Sequence, residues 1–167
     1  MDPDVSRLLD AIDRRILREL QRDGRLTIVE LANRVHLTKS PCAERLKRME
    51  REGVVSGYRA TVNAARLGRG HLTIVHVNLG HTDNRSLAAF NVAVREVPEV
   101  ESCLMIAGPF DYMLKVRTRD MAHYRHVLGD RITSLPGVVQ THSFAVMETV
   151  ADNAVVPTEE RADGMTA

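Results

Sequence analysis

The order of short β-branched runs and helical segments after residue 70 is the feature that most restricts how this chain folds. The runs "HLTIVHVNL", "VESCLMIA", "DYMLKVRT" and "VVQTHSFAVM" predict four strands. Two amphipathic segments, "SLAAFNVAVREV" and "DMAHYRHVLGDRITSL", predict helices that end at Pro98 and at Pro136-Gly137. The resulting order β-α-β-β-α-β predicts a ferredoxin-like domain over residues 71–150, in which four antiparallel strands carry two helices on one face.

The other face of such a sheet has no element of the same chain to cover it. An uncovered apolar face on a small domain is typical of a protein–protein interface. We therefore expect a second copy of the chain to pack there, and the sequence predicts a homodimer.

The first 60 residues have a helical period instead. Apolar residues recur at helical spacing from Leu9 to Leu20, a second helix is predicted to begin at Thr27 with a capping-box Glu30, and a third follows Thr38. Because three or four residues join the last two helices, the pattern predicts a helix-turn-helix domain over 1–60, with "VVSGYRATV" as a wing-like strand or hairpin. We expect the fold class to be α+β, with a linker over 61–70 and a flexible acidic tail over 151–167.

The stretch "VHLTKSPCAERLKRME" allows three interpretations: a metal site, core packing or a nucleic-acid surface. On a helical wheel Cys42 lies within about 40° of Leu46 and Met49, which predicts that it is a buried apolar residue. A metal site of His36 and Cys42 would need two further ligands, and residues 1–60 contain no other Cys or His. Pro41 falls in the first helical turn, where its missing N–H has no helical partner to lose.

The outward side of the third helix carries the charge. Residues 34–51 contain 6 Lys/Arg against 2 Asp/Glu, on a chain whose formal net charge is only +1. A local basic patch of this kind is typical of a nucleic-acid reader, although a solvated helix face has the same pattern. Base contacts are predicted at the helix start and phosphate contacts at the flanks. The predicted double-stranded DNA-binding residues are Thr38, Lys39, Ser40, Glu44, Arg45, Lys47, Arg48 and Arg51.

Several other classes of protein are disfavoured. No apolar run approaches the roughly 20 residues of a membrane span, and the acidic start "MDPDVSRLLD" is not typical of a secretory signal. Two cysteines without a CxxC pair favour a cytoplasmic location. The chain contains no GxSxG, HExxH, Walker A or GxGxxG pattern, so we expect no enzyme activity, no cofactor and no metal.

Three segments carry a resemblance to a known family. "LTKSPCAERLKRMEREGVVSGY" resembles the recognition helix and wing of the Lrp/AsnC (feast/famine) transcriptional regulators, and "LDAIDRRILRELQRDGRLT" is similar to their first helix. "GPFDYMLKVRTRDMAHYRHVLGDRITSLPGVVQTHSFAVME" resembles their regulatory domain. The similarity covers about residues 8–150 and looks strongest toward the leucine-responsive regulatory protein branch.

The resemblance implies an amino-acid effector bound between subunits, near the Gly-x-x-Asp-Tyr loop and the last strand. By position, the implied effector-binding residues are Met105, Gly108, Pro109, Phe110, Asp111, Tyr112, Met121, Phe144 and Val146. Asp111 has an alternative role in capping a turn, and the methionines and Phe144 have one in a dimer core. Two positions depart from the family pattern: His36 stands where the turn usually has Gly, and Pro109 where the loop usually has an acidic residue.

The resemblance also implies assembly beyond the dimer, as a tetramer of dimers, and control of amino-acid metabolism genes. Two alternatives stay open at this point. One is an enzyme like the sirohaem decarboxylases, which resemble the same two-domain architecture, and the other is a sensing module without DNA binding.

Overall fold

The computed structural model describes residues 9–152 and 155–158 and divides the chain into two compact units. The first unit contains the residues up to Thr61 together with the C-terminal residues 155–158, and the second contains residues 62–152. The predicted linker begins at this boundary and includes one short 3-10 turn, Ala65–Leu67. Within the described ranges, no helix is long and apolar enough to cross a membrane.

The described part of the first unit contains three helices: α1 (Ala11–Arg22), α2 (Ile28–Arg34) and α3 (Lys39–Arg51). Side chains cap the first two helices, because the earliest N–H groups of a helix have no partner inside it. The Asp10 carboxylate accepts hydrogen bonds from the N–H groups of Ile12 and Asp13, at 2.9 and 2.8 Å. Thr27 and Glu30 form the predicted reciprocal capping box at α2.

The core of this unit confirms the predicted apolar stripes. Its buried residues come from all three helices and from the end of α2: Ile16, Leu31, Ala32, Val35, Cys42 and Met49. Cys42 has no exposed surface, and burial raises the pKa of its thiol. Cys42 is therefore a packing residue of α3.

The predicted strand over "VVSGYRATV" is wrong for the single chain. Residues 54–62 contain no strand, because no segment among the described residues of the unit pairs with them. Val54 and Val55 instead pack against the core, and the Tyr58 hydroxyl donates a hydrogen bond of 2.9 Å to Glu50. Partial burial and the neighbouring Glu50 carboxylate raise the pKa of Tyr58 to about 12.

The turn between α2 and α3 depends on the backbone conformation of His36. Its φ of 59° is the one positive φ of a non-glycine residue among those described. The Leu37 N–H donates to Ala32 O at 2.9 Å and the His36 N–H to Asn33 O at 3.3 Å. These two bonds are the Schellman motif, in which the left-handed residue is usually glycine. The expectation of a tight turn at His36 is confirmed.

A buried carboxylate sets the position of α3 against α1. The Asp13 side chain is fully buried, and two arginines of α3 donate to it: Arg45 Nη1 at 2.9 Å and Arg48 Nη2 at 2.5 Å. Arg45 Nη1 also lies 2.6 Å from the Asp10 carboxylate, and the two acidic groups raise the pKa of its guanidinium. The Asp10 N–H completes the set at 3.2 Å. A buried charge is tolerated only when it is paired in this way, so the four groups fix how the helices pack.

The second unit has the predicted order β-α-β-β-α-β. Its elements are β1 (His71–Leu79), α4 (Asn84–Ala93), β2 (Val100–Met105), β3 (Tyr112–Thr118), α5 (Met121–Val127) and β4 (Val138–Ala145). A 3-10 turn extends α4 to Glu96, and a π turn extends α5 to Ile132. The strands form one antiparallel sheet in the order β2-β3-β1-β4. This is the predicted ferredoxin-like arrangement.

Alternation along the strands separates two faces of the sheet. Four of the five buried residues of β1, which are Thr73, Val75, Val77 and Leu79, share a face with buried residues of β3, and the helix residues Phe90 and Tyr124 belong to the same core. The alternate positions form the outer face. Register places His76 opposite Met113 and His142 on it, and Leu104 and Phe144 are about half exposed there.

The positive φ at His36 has a measurable cost. The left-handed conformation costs a residue with a Cβ roughly 1–2 kcal/mol of folded-state stability. Glycine avoids this cost, but it also increases the conformational entropy of the unfolded chain, which cancels part of the gain. We therefore expect His36→Gly to raise the free energy of unfolding by about 0.5–1 kcal/mol, and His36→Val to lower it by about 1 kcal/mol or more. Urea unfolding followed by circular dichroism measures both; a His36→Gly variant no more stable than the parent would contradict the assignment.

Candidate DNA-binding and effector sites

The start of α3 presents polar side chains to solvent. Thr38, Lys39, Ser40, Glu44 and Lys47 are all exposed. Thr38 is the N-cap residue by backbone conformation, but within the part of the chain that the structure describes its hydroxyl makes no capping hydrogen bond. That hydroxyl and the first N–H groups of α3 are available for a phosphate or base edge, as at the start of a recognition helix.

The remaining predicted DNA-binding residues have a different environment. The guanidinium groups of Arg45 and Arg48 are turned toward α1 and occupied by Asp10 and Asp13. Arg51 is largely exposed, 3.9 Å from the neighbouring Glu52 carboxylate. The predicted set therefore divides into an exposed group along α3 and an internal pair of arginines that holds the helix.

Asp10 and Asp13 were not recognised as functional from the sequence. Asp13 lies three residues before Ile16, so it is on the core-facing side of α1. A carboxylate on an apolar stripe requires a buried cation, and the arginines of α3 supply it. The acidic residue Asp13 within the apolar stripe of α1 is therefore the feature of the sequence from which this ion pair could have been predicted.

The loop between β2 and β3 is held by Asp111. Its N–H donates to Val77 O at 3.0 Å, and its carbonyl accepts from the Ile106 N–H at 2.8 Å. One carboxylate oxygen accepts a 2.7 Å hydrogen bond from the Leu79 N–H. Asn78 also reaches the loop, donating to Pro109 O at 3.2 Å. Asp111 thus caps the end of β1, the alternative role that the sequence left open, while keeping a partly exposed carboxylate.

Three rings meet beside this loop on the outer face of the sheet. The Phe110 ring stacks on the His76 imidazole with centroids 3.6 Å apart and an angle of 15°. The Phe144 ring lies on β4, with its centroid 4.8 Å from that of the imidazole. His76 therefore joins the loop to the last strand. The sequence does not predict this role for His76, because its position opposite His142 becomes visible only once the register of β1 and β4 is known.

The other predicted effector residues lie elsewhere. Tyr112 is buried in the core, with its ring centroid 4.3 Å from that of Phe90, and burial raises the pKa of its phenol. Met105 pairs with Tyr112 in register, so it belongs to the helix side of the sheet, where it is half exposed at the strand end. Gly108 and Pro109 are exposed in the loop, and the Val146 N–H donates to Leu72 O at 2.9 Å. One protomer does not gather the whole set around a single cavity.

Met121 lines a separate cavity of about 540 Å³ between α5 and β4. Its other lining residues are Ala122, Tyr124, Arg125, His126, Leu128 and Ser143. The Tyr124 hydroxyl and the Ser143 hydroxyl are hydrogen-bonded inside it. Because Ser143 and Phe144 are consecutive strand residues, they point to opposite faces, which separates Met121 from the ring cluster.

Family models match both units of the chain. Residues 9–56 match a winged helix-turn-helix DNA-binding model, and residues 72–156 match the Lrp/AsnC ligand-binding domain model. The first match lies within the first unit, and the second covers most of the second unit and extends to residues 155–156, which the structure places in the first.

Similar proteins support the same assignment. The proline dehydrogenase transcriptional activator of Rhodobacter capsulatus is 50% identical over 145 residues, which is 87% of this chain and 94% of the relative. The leucine-responsive regulatory protein of Escherichia coli K12 is 44% identical over 142 residues, 85% and 87% of the two chains. A transcriptional regulator of Neisseria meningitidis, solved as a complex with L-methionine, superposes with a TM-score of 0.85 at 35% identity, covering 89% of this chain and 96% of that one. The chain belongs to the Lrp/AsnC family of transcriptional regulators, with a winged helix-turn-helix DNA-binding domain and an Lrp/AsnC ligand-binding domain.

Proposed function

We propose that this protein is a cytoplasmic regulator of amino-acid metabolism genes, whose affinity for its operator responds to a small amino acid. The observation that carries the proposal is the exposed polar start of α3, held in place by the ion pairs of Asp13. Membership of a family of transcriptional regulators argues against the decarboxylase alternative. A sensing module without DNA binding would show no operator binding in the gel shifts described below, whereas we expect binding.

For DNA recognition we infer separate roles within α3. Thr38, Lys39, Ser40, Glu44 and Lys47 contact bases or phosphates, because their side chains are exposed at the start and along the outward side of the helix. Arg51, also exposed, contacts a flanking phosphate. Arg45 and Arg48 act mainly through Asp13, as positioning residues that keep α3 in the orientation the groove requires.

This division of roles predicts that Lys47→Ala and Arg48→Ala differ. Lys47→Ala is expected to weaken operator binding and to leave thermal stability unchanged. If Lys47 contacts a base, the binding free energy is expected to fall in magnitude by about 1–3 kcal/mol. If Lys47 contacts a phosphate, the slope of log binding constant against log salt concentration is expected to fall in magnitude by about one. Arg48→Ala is expected to lower the free energy of unfolding by about 1.5–3 kcal/mol, because it removes a charged hydrogen bond to a buried carboxylate. Gel shifts across a salt series and thermal melts measure the two effects. Operator binding unaffected by both changes together would remove α3 as the recognition helix.

For the effector we propose an amino acid bound beside the 106–111 loop, at an interface that a second subunit completes. The ring cluster of Phe110, His76 and Phe144 offers an apolar wall, and the loop offers N–H groups for a carboxylate. Met105, Gly108, Pro109, Tyr112, Met121 and Val146 complete the proposed set, Tyr112 from within the core. Proline, leucine and methionine are the first candidates, since the names of the relatives and the methionine complex of the structural neighbour point to them.

Substitutions at Asp111 separate its capping role from a role in binding an ammonium group. Asp111→Asn keeps an oxygen that accepts from the Leu79 N–H but removes the charge, whereas Asp111→Ala removes both. If the carboxylate pairs with the effector, we expect both variants to lose at least about tenfold in effector affinity, which corresponds to 1.4 kcal/mol, and to keep ligand-free operator binding. A thermal-shift screen of free amino acids measures the affinity change. An undiminished ligand response in Asp111→Ala would exclude Asp111 from the site.

We further propose that two copies pack through the outer face of the sheet, and that the dimers assemble into a tetramer of dimers as the family resemblance implies. Exposed apolar side chains on that face, including Leu104 and Phe144, support a covered interface. The dimer would present two α3 helices to the half-sites of a pseudo-palindromic operator.

A charge placed on the outer face tests the interface. Leu104→Asp is expected to shift the dimer toward monomer by at least about tenfold in dissociation constant, because an unpaired carboxylate cannot be desolvated cheaply. Val92→Asp is the matched control, since Val92 is a similarly exposed apolar residue on α4. Sedimentation equilibrium measures both variants; equal association of the two would show that the dimer uses another surface.

A further inference from the structure

Residues 155–158 belong to the segment 151–167 that the sequence predicts to be a flexible acidic tail. They lie against α1 of the DNA-binding unit, where the Gln21 side chain makes two hydrogen bonds to the backbone of Val156. Gln21 Nε2 donates to Val156 O at 3.0 Å, and the Val156 N–H donates to Gln21 Oε1 at 2.7 Å. One side-chain amide thus satisfies both backbone groups of a single residue, as a neighbouring strand would. Of the rest of the predicted tail, residues 153–154 and 159–167 lie outside the described residues.

A cleft of about 800 Å³ surrounds this contact. Its walls come from α1, from the α1–α2 turn, from residues 54–61 and from 156–158 of the C-terminal segment itself. Arg14 Nη1 adds a third hydrogen bond, to Thr158 O at 3.4 Å. Pro157 has no N–H, so the position between the two bonded residues leaves no donor unsatisfied.

The apolar part of the groove is the incompletely covered edge of a small core. Leu9, Leu17, Leu20, Val54 and Val55 are only partly buried, although all of them pack against the core of the first unit. A domain of about 60 residues buries a smaller share of its surface than a larger one does, and an added segment increases that share. Val155 and Val156 stay 52% and 69% exposed, so the hydrogen bonds to Gln21 and Arg14, more than apolar burial, hold the segment here.

Charge and connectivity both favour the bound state of the segment. Residues 151–167 contain 4 Asp/Glu against 1 Lys/Arg, while α1 contains four arginines against two acidic residues. Attachment to the same chain also raises the local concentration of the segment to the millimolar range, so a contact that would be weak between molecules is populated within one.

We propose that the groove between α1 and residues 54–61 is a docking surface for the chain's own C-terminal segment, with Gln21 as the residue that holds it. Docking completes the DNA-binding unit and protects the C-terminal half of α1 and residues 54–61 against local opening. This role does not depend on the effector or on the operator, so it stands apart from the proposed function.

Amide hydrogen exchange of the full-length protein tests the proposal. We compare the parent with a chain that ends at Asp152 and with Gln21→Ala, Gln21→Glu and Arg15→Ala. Truncation and Gln21→Ala are expected to speed exchange in the C-terminal half of α1 and in 54–61 by about tenfold, the effect of losing about one net hydrogen bond. Gln21→Glu keeps the acceptor but not the donor and is expected to be intermediate. Arg15→Ala, an exposed residue of the same helix, and the sheet amides serve as controls and should not change.

A peptide added in trans shows whether the segment itself is responsible. A synthetic peptide of residues 151–167, added at millimolar concentration to the truncated chain, is expected to restore the lost protection, and a peptide of scrambled sequence is not. Exchange that is unchanged by truncation and by Gln21→Ala would overturn the proposal. Restoration by the scrambled peptide would overturn it as well, since the groove would then lack specificity for this segment.

Discussion

The buried carboxylate of Asp13 is the constraint on which the DNA-binding unit depends. Three hydrogen-bond donors converge on it: a guanidinium N–H from each of two arginines on α3 and one backbone N–H from the start of α1. Hydrophobic packing alone would allow α3 to slide or rotate by small amounts on the apolar residues beneath it, because such contacts are not directional. Charged hydrogen bonds are directional, and a rotation that broke them would leave a carboxylate uncompensated in the core. The charged network therefore selects one orientation of the helix among several of similar apolar burial.

The sequence predicts the order of elements well, because alternation and helical period are local properties. The ferredoxin-like order of elements and the buried position of Cys42 follow from these local patterns, while the tight turn at His36 follows from the family resemblance. Partners across space are not local, and the pairing of Arg45 and Arg48 with Asp13, which the sequence does not predict, illustrates the limit. A helical wheel shows on which side of α3 an arginine lies, but it does not show that the Asp13 carboxylate of α1 lies beside that arginine. The same limit explains the missing strand at 54–62, since a strand requires a partner as well as β-branched residues.

The candidate effector residues show how strand geometry distributes a set that looks contiguous along the chain. Phe110 faces the outer side of the sheet with His76, while Tyr112, two residues later, is part of the core on the helix side. The turn into β3 at Asp111 changes the direction of the chain between them, so a two-residue spacing does not keep them on one face. Sequence similarity transfers positions but not the faces on which they lie. An effector site that uses residues of both faces would therefore need two contributions. The loop would connect it to the core residues, and a second subunit would complete it on the outer face of the sheet.

The C-terminal contact with Gln21 has a consequence for the order in which the protein is made. The three helices of the first unit are close in sequence, so they can fold soon after they leave the ribosome, whereas β1 must wait for β4, with His76 pairing to His142. At about 5–20 residues per second, on the order of ten seconds separate the emergence of α3 from that of residues 155–158. The unit that folds first thus gains its contact with residues 155–158 only after about a hundred further residues have been synthesised. During that interval Gln21 on α1 lacks the backbone partner that Val156 later provides, so the two ends of the synthesis are joined by one side-chain amide.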